Sequence, residues 1–401
     1  MGDARESVRK VERGPGRPGC PVHRGADGTW EVRGYEAARE VLRATDTVQA
    51  GLGIETVEKL PARVRRPVLY QDGPGHREQR RQTARFFTPR HVDEHYRELM
   101  TRVAEEQTAV LRAAGTAQLS DLGFTMAIEV VSDILGLTHS RPGLKSRLER
   151  FFPEEFGQPG LTSPRGLYWL LRQNTNWLRI HLADVRPAIR AHRKREGERD
   201  DLISHLLAEG CSGAEILGEC LTYAAAGMVT TREFICVAAW HLFDDPELLG
   251  RYRAAEEPER LELLREILRL EPVVGRLSRR ATASMRVGEA SIGPGELLTV
   301  FVDEANADPD AVGRDPDLLR PGRSWNPGPG QGPGPAGLAF GDGAHRCPGA
   351  AVAVLEADVL LSRLFALDGL RMSGRPRVSF KDEIGGYEIR ELTVTVPRSA
   401  K

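Results

Sequence analysis

Apolar residues recur at helical spacing through most of this chain. Between residues 35 and 44, Ala38, Val41 and Leu42 fall on one face. The basic run GPGHREQRRQTARFF predicts a helix over 73–87, with Pro74 in its first turn and Thr88-Pro89 as its stop. Longer amphipathic stretches follow at about 91–114, 119–137 and 165–195. Ser212 stands where an N-cap would, ahead of an apolar run to about Phe243. Another helix ends near Leu270. The last spans Ala351 to Leu367, with Val352, Leu355, Val359, Leu360 and Leu364 inward. Period-two alternation is confined to short pieces: Thr29 to Arg33, the stretch VGEASIGPGELLTVFV after Pro272, and Leu370 to Pro397. The pattern predicts a mainly α fold with small β-sheets at one side. Residues 1–22 predict a flexible lead-in, and residues 23–401 a single domain. Residues 45–72 lack a long period. Residues 150–166 and 321–337 are rich in Pro and Gly; the second predicts a surface coil.

Composition narrows the class. Apolar residues make up 40% of 401, enough for one large core. The formal net charge of −1 offers no basic surplus for nucleic acid. The five cysteines, Cys20, Cys211, Cys220, Cys236 and Cys347, are odd in number and scattered. That is no disulfide framework and fits a reducing cytosol. The N-terminus has no apolar signal core, and no apolar run reaches the ~20 residues of a membrane span. A cytoplasmic protein without a membrane partner is expected.

The densest chemistry lies in LAFGDGAHRCPGA, residues 338–350. Gly341 and Gly343 permit positive φ and close approach of a bulky group. Pro348 suits the first turn of the helix that follows. Cys347 then stands at a helix N-terminus, which favours a thiolate. With no other cysteine nearby, a CxxC-type zinc site is excluded.

This stretch resembles the cysteine loop of the cytochrome P450 family, Phe-Gly-x-Gly-x-His/Arg-x-Cys-x-Gly. Phe340, Gly341, Gly343, His345, Cys347 and Gly349 fill its defined positions. The resemblance implies the P450 fold over residues 20–397, with 23–401 as one haem domain. It implies haem b as cofactor and Cys347 as the protein ligand to its iron. The missing membrane anchor fits the soluble bacterial type. Glu266 and Arg269, i,i+3 on one helix face, resemble the family's Glu-x-x-Arg; Asn306, Asp308-Pro309 and Arg323 resemble its meander. The pair and Arg323 would brace the cysteine loop. His76 and Arg80, i,i+4, match the family's propionate-binding His-x-x-x-Arg, and Arg279 (or its neighbour Arg280) and His345 match further propionate positions. Ala226-Gly227-Met228-Val229-Thr230-Thr231 resembles the family's oxygen-face motif. There Gly227 would make room, and Thr230 and Thr231 would serve catalysis. Val229 departs from the carboxylate usual in the family, so Glu233, one turn on, becomes a substitute candidate for proton supply.

The function implied is oxidation of a small organic molecule in natural-product biosynthesis. Electrons would come from NAD(P)H through a ferredoxin or flavodoxin and its reductase. The substrate-facing regions carried over are 52–70, a lid near 151–169, Ala226, 273–277 and 384–387. The altered helix motif and the text VLYQDGPGHREQRRQTARFFTPR resemble actinobacterial members that couple tryptophan-containing cyclodipeptides to an indole or a nucleobase. An ordinary hydroxylase or epoxidase is the alternative. A haem sensor or carrier without catalysis is a third reading.

Overall fold

The computed structural model describes residues 9–11, 20–57, 65–151, 160, 163–194, 200–323, 325, 334–381 and 384–397. Most of the lid segment and most of the Pro/Gly-rich 321–337 stretch lie outside these residues.

Six helices position the site. They are α1 (Tyr35–Arg43), α2 (Gly73–Thr83), α3 (Leu119–Leu135), α4 (Gly213–Asp244), α5 (Glu257–Leu270) and α6 (Ala350–Phe365). α4 is the axle. Its start is a capping box, in which the Ser212 side chain accepts from Glu215 N–H and Glu215 accepts from Ser212 N–H. Its middle is buried nearly all round, as an apolar helix must be. α3 packs along it, and glycines ease the approach. A Cβ on Gly123 would meet Ile235 at 3.4 Å, and one on Gly227 would meet Val131 at 3.4 Å.

The 165–195 stretch is helical but not uniform. Pro164–Ile180 and Arg186–Lys194 are joined by a π turn, His181–Val185. Pro187 has no N–H for the carbonyl of Ala183, which accepts Arg141 N–H at 2.9 Å instead. Several short helices escape the periodicity reading, among them Leu144–Phe151, Leu202–Ala208 and Pro246–Ala254. Each is too short to establish a period.

The largest sheet has five strands: β1 (Val22–Arg24), β2 (Trp30–Val32), β3 (Thr47–Ala50), β4 (Arg276–Ala281) and β5 (Leu297–Phe301). The order is β1-β2-β5-β4-β3, with β2–β5 parallel and the other pairs antiparallel. Val32, Leu298 and Val300 pack beneath it against Tyr35 and Val41 of α1. This sheet carries Arg279 inward and Arg280 outward, as strand alternation requires.

The N-terminal expectation needs correcting. Residues 9–11 are docked rather than free: Val11 is 2% exposed within the main core. The amides of Lys10 and Val11 both donate to the Glu271 carboxylate, and Lys10 Nζ pairs with Asp244 at 2.7 Å. From Val22 onward the chain is already strand. The rest of the 1–22 call lies outside the described residues.

Candidate active site

The cysteine loop is pinned from three sides. Gly341 and Gly343 have φ of +68° and +67°. A Cβ on Gly343 would run into the Leu42 carbonyl at the end of α1, so glycine is required there twice over. Asp342 accepts from Gly343 N–H at 2.8 Å and is paired by Arg39 (3.3 Å) and Arg43 (2.8 Å) of α1. Cys347 N–H closes the loop onto Phe340 O at 2.8 Å. Two expectations are corrected. Pro348 lies in a turn before the helix, whose first residue is Ala350. Burial pushes the Cys347 thiol up, while Gly349 N–H and the charges of Arg80 and Arg346 pull it down, so the helix end alone does not secure a thiolate. The sulfur-bearing residue is enclosed by protein yet keeps accessible surface, as does Ala226 on the otherwise buried α4.

His76, Arg80, Arg279 and His345 come together from α2, β4 and the loop. The rings of His76 and His345 stack at 4.1 Å between centroids. Arg80 donates to the carbonyl of Arg346, and Arg279 to Gln49 Oε1 on β3. Asp72, at the N-terminus of α2, accepts from His345 Nε2 at 2.9 Å and from Gln49 N–H at 3.0 Å. Burial opposes ionisation of Asp72, but these hydrogen bonds outweigh it and hold its carboxyl below the usual range. Burial, then the charges of His345 and Arg80, push His76 down to about 4. Burial also pulls Arg279 down to about 10, with Asp72 as the opposing charge. Arg280 is exposed, on the opposite face of β4 from this cluster. Asp72 and Gln49 were missed in the sequence; Asp72 stands at the N-cap of α2, four residues before His76, a signal that could have found it, whereas Gln49 has no such spacing.

Glu266 and Arg269 form a buried fork on α5, both hydrogen bonds 2.8 Å long. Arg269, fully buried, also donates to the carbonyls of Asn306 (2.9 Å), Pro316 (2.8 Å) and Leu318 (3.1 Å). Arg323 reaches Glu266 at 3.4 Å. Asn306 returns a bond to Arg269 O (3.1 Å), and its Oδ1 accepts from Leu338 N–H at 2.6 Å. One continuous bonded path thus runs from the fork to the loop that bears Cys347.

On α4, Thr230 Oγ1 donates back to Ala226 O at 2.5 Å. Thr231 is buried and off the stripe that Ala226 and Thr230 share. The missing side chain of Gly227 points at Val131, so here the glycine serves helix packing rather than opening a space. Glu233 is also corrected. It is 1% exposed and locked by Ile389 N–H (2.7 Å), Arg390 (2.8 Å) and Arg232 (2.8 Å), so it is not free to carry protons. Two α4 residues were overlooked, Glu219 and Tyr223. The visible signal was an acid in an apolar helical run, spaced i, i+4, i+7 with Tyr223 and Ala226. The segments 273–277 and 384–387 lie side by side, joined by Gly275 N–H to Ile384 O at 3.0 Å. A surface groove lined by Tyr252, Arg253, Arg260 and Phe365 contains none of the residues discussed above.

A sequence model of the cytochrome P450 family matches residues 262–367, the span holding Glu266, Arg269, Arg323 and Cys347. The chain is 28% identical over 363 residues to the erythromycin C-12 hydroxylase of Saccharopolyspora erythraea, covering 87% of this chain and 84% of that one. It is 26% identical over 378 residues to the biotin biosynthesis cytochrome P450 of Bacillus subtilis, covering 91% and 90%. Among solved structures, HmtN, a post-tailoring hydroxylase involved in himastatin biosynthesis, aligns with a TM-score of 0.74 at 22% identity over 94% of each chain. The mainly helical architecture with small sheets is therefore the P450 fold. The chain belongs to the cytochrome P450 family. It is an oxidoreductase of the monooxygenase class, and its relatives include hydroxylases and a nocardicin C N-oxygenase.

The family carries haem, an iron porphyrin with two carboxylates. The residues present fit it. A cysteine sulfur suits iron, and two guanidinium and two imidazole groups meet, among the described residues, a single neighbouring carboxylate, Asp72, leaving donors for two more. Among the described residues no helix is long and apolar enough to cross a membrane.

Proposed function

We propose that the chain oxidises a small organic molecule of natural-product metabolism, with haem held by Cys347 through its sulfur and by His76, Arg80, Arg279 and His345 through the propionates. When bound, haem supplies an oxidising centre able to abstract hydrogen or an electron from the substrate. The observation that carries this reading is the convergence of four cationic or hydrogen-bonding side chains beside the glycine-flanked loop of Cys347. Phe340, Gly341 and Gly349 shape the loop against the porphyrin. The Glu266–Arg269–Arg323 fork, through Asn306, keeps it in place. Ala226 and Thr230 stand on the α4 side of the site, where Thr230 Oγ1 would orient and pass protons. The unit from residue 23 onward acts as one haem domain in the cytoplasm. Electrons arrive from NAD(P)H through a ferredoxin or flavodoxin and its reductase, and exposed Arg77 and Arg81 on α2 suit an acidic partner.

The finer reading is oxidative coupling of a tryptophan-containing cyclodipeptide to an indole or a nucleobase. It is supported by Val229 in place of the usual carboxylate and by Glu233 being tied up, which together alter proton supply. Hydroxylation or epoxidation of another secondary metabolite is the second reading, favoured by hydroxylase relatives such as that of erythromycin. Product mass decides between them. The protein is incubated with such cyclodipeptides, alone and with guanine, under ¹⁸O₂ with NADPH and a surrogate ferredoxin system. A dimer or adduct lighter by two hydrogens and free of label supports coupling. A product with one labelled oxygen overturns it in favour of hydroxylation.

A further inference from the structure

We infer that Glu219 and Tyr223 are the proton-supply arm of this site, with Glu219 Oε2 as the donor and Tyr223 Oη as the next carrier toward Thr230. The inference rests on the oxidation site proposed above and deepens it. Glu219, Tyr223, Ala226 and Thr230 stand at i, i+4, i+7 and i+11 on α4, and so on one stripe of the helix. The stripe runs about 16 Å at 1.5 Å per residue. At one end Thr230 borders the accessible surface that Ala226 shares. At the other end Glu219 is 3% exposed beneath the 65–68 segment.

The hydrogen bonding of this carboxylate is lopsided. Oε1 accepts from Gln79 Nε2 at 2.7 Å and from Val68 N–H at 3.0 Å, while Oε2 is buried with no partner among the described residues. A buried carboxyl oxygen without a donor is best satisfied by carrying the proton itself and giving it to an acceptor or a water. Tyr223 Oη, one turn on, is likewise buried, and among the described residues its one polar neighbour is the Thr83 hydroxyl. Thr83 donates its proton to Gln79 O at 2.9 Å, so toward the phenol it can act only as an acceptor. Tyr223 stacks on Phe87, ring centroids 5.7 Å apart, and Cys347 acts on it as a distant charge.

The surroundings suit the role. Arg65 faces Glu219 from the 65–68 segment; Glu215, Cys220 and Tyr223 flank it on α4, and α2 presents neutral Gln79 and, toward Tyr223, Arg80. Burial outweighs these and lifts Glu219 to about 7, while it pushes Tyr223 up to about 12, so the phenol stays neutral. Elsewhere on the helix, position 229 is valine and Glu233 is locked in ion pairs. The transfer balances. Glu219 Oε2 gives its proton to Tyr223 Oη as the phenol releases its own to water along the Ala226 face; that water protonates Thr230 Oγ1 as Thr230 turns its own hydroxyl proton from Ala226 O to the reduced dioxygen of the proposed oxidation. Glu219 is then reprotonated from solvent past half-exposed Arg65, Arg66 and Pro67.

The test uses the haem-loaded full chain as wild type, Glu219→Gln and Tyr223→Phe. Gln keeps an oxygen for Val68 N–H but cannot deliver a proton, and Tyr223→Phe touches no contact of the 65–68 segment. The first readout is independent of turnover. With ¹³C-labelled glutamate, and Glu356→Gln as the common background because Glu356 is itself lifted to about 8, infrared titration should show a protonated-carboxyl band that disappears near neutral pH and is missing when Glu219→Gln is added. The second is product formed per NADPH, expected to fall roughly a hundredfold in both variants, the low end for a positioned proton donor, with substrate Kd unchanged. Unchanged coupling in both variants, or a titrating band that survives Glu219→Gln in the Glu356→Gln background, overturns the relay. A fall in Glu219→Gln accompanied by weakened substrate binding, with Tyr223→Phe normal, makes Glu219 a latch for the loop and also overturns it. If wild-type protein lacks the family's carbon monoxide band after reduction, the haem reading fails first and the relay with it.

Discussion

Arg269→Ala should empty the haem site by loosening the loop, far from any contact with the cofactor. Arg269 is fully buried and Glu266 only 2% exposed, and the guanidinium makes five hydrogen bonds: two to Glu266 and one each to the carbonyls of Asn306, Pro316 and Leu318. Truncation leaves Glu266 with only Arg320 N–H at 3.0 Å and the longer contact to Arg323. Breaking a buried pair from one side costs about 3–5 kcal/mol. For a chain of 401 residues at about 2 cal/mol/K per residue, that is a fall in Tm of roughly 5 °C. The change propagates because the carbonyls of Asn306, Pro316 and Leu318 lose the guanidinium, leaving Asn306, which accepts from Leu338 of the cysteine loop, tied to α5 only through the Arg269 carbonyl that alanine keeps. Thermal unfolding and the haem-to-protein absorbance ratio are the assays. Glu266→Ala should behave alike, and the double variant should cost less than the two singles combined, since neither charge is then orphaned. Normal haem loading with an unshifted Tm in both singles would refute the reasoning and leave the fork as an idle pair.

Cys347→Ala should abolish the carbon monoxide band of the reduced protein, whereas alanine at Cys20, Cys211, Cys220 or Cys236 should leave it; a surviving band in Cys347→Ala would remove the ligand assignment. Arg279→Ala should lower haem affinity at least about tenfold, because a desolvated guanidinium–carboxylate bond contributes about 1.5–3 kcal/mol, while exposed Arg280→Ala should not; equal effects would mean a merely electrostatic surface. Glu356 on α6 is 2% exposed, its Oε1 has no partner, and burial lifts it to about 8. An acid raised in the folded state binds more protons there than when unfolded, so wild-type stability should fall as pH rises from about 4.5 to 8, by on the order of 3–5 kcal/mol. Denaturant titrations of Glu356→Gln should show that slope removed, and an unchanged slope would place the pH dependence elsewhere.

The corrections share a cause. The N-terminal residues read as loose because Lys10 and Val11 find their acceptor in Glu271, far along the chain. Glu233 read as a free acid because its partners, Ile389 and Arg390, arrive on a strand near the C-terminus. Gly227 read as an opening because Val131 belongs to another helix. In each case the deciding partner is remote in sequence, and no periodicity reports it.

What the sequence determined by itself is what local geometry dictates. Helical periods placed α1 to α4 and α6 to within a few residues and α5 by its end alone, Ser212 and Glu215 set the start of α4, and the glycines of the cysteine loop declared their positive φ by spacing alone. The burial of Arg279 rather than Arg280, the Asp72–His345 bond, the path from Arg269 through Asn306 to Leu338, and the buried oxygens of Glu219 and Tyr223 were decided only in three dimensions. A local motif constrains the backbone that bears it. The protonation and partners of a buried polar group depend on which distant donors the tertiary fold brings within about 3 Å, and on how much water that packing removes.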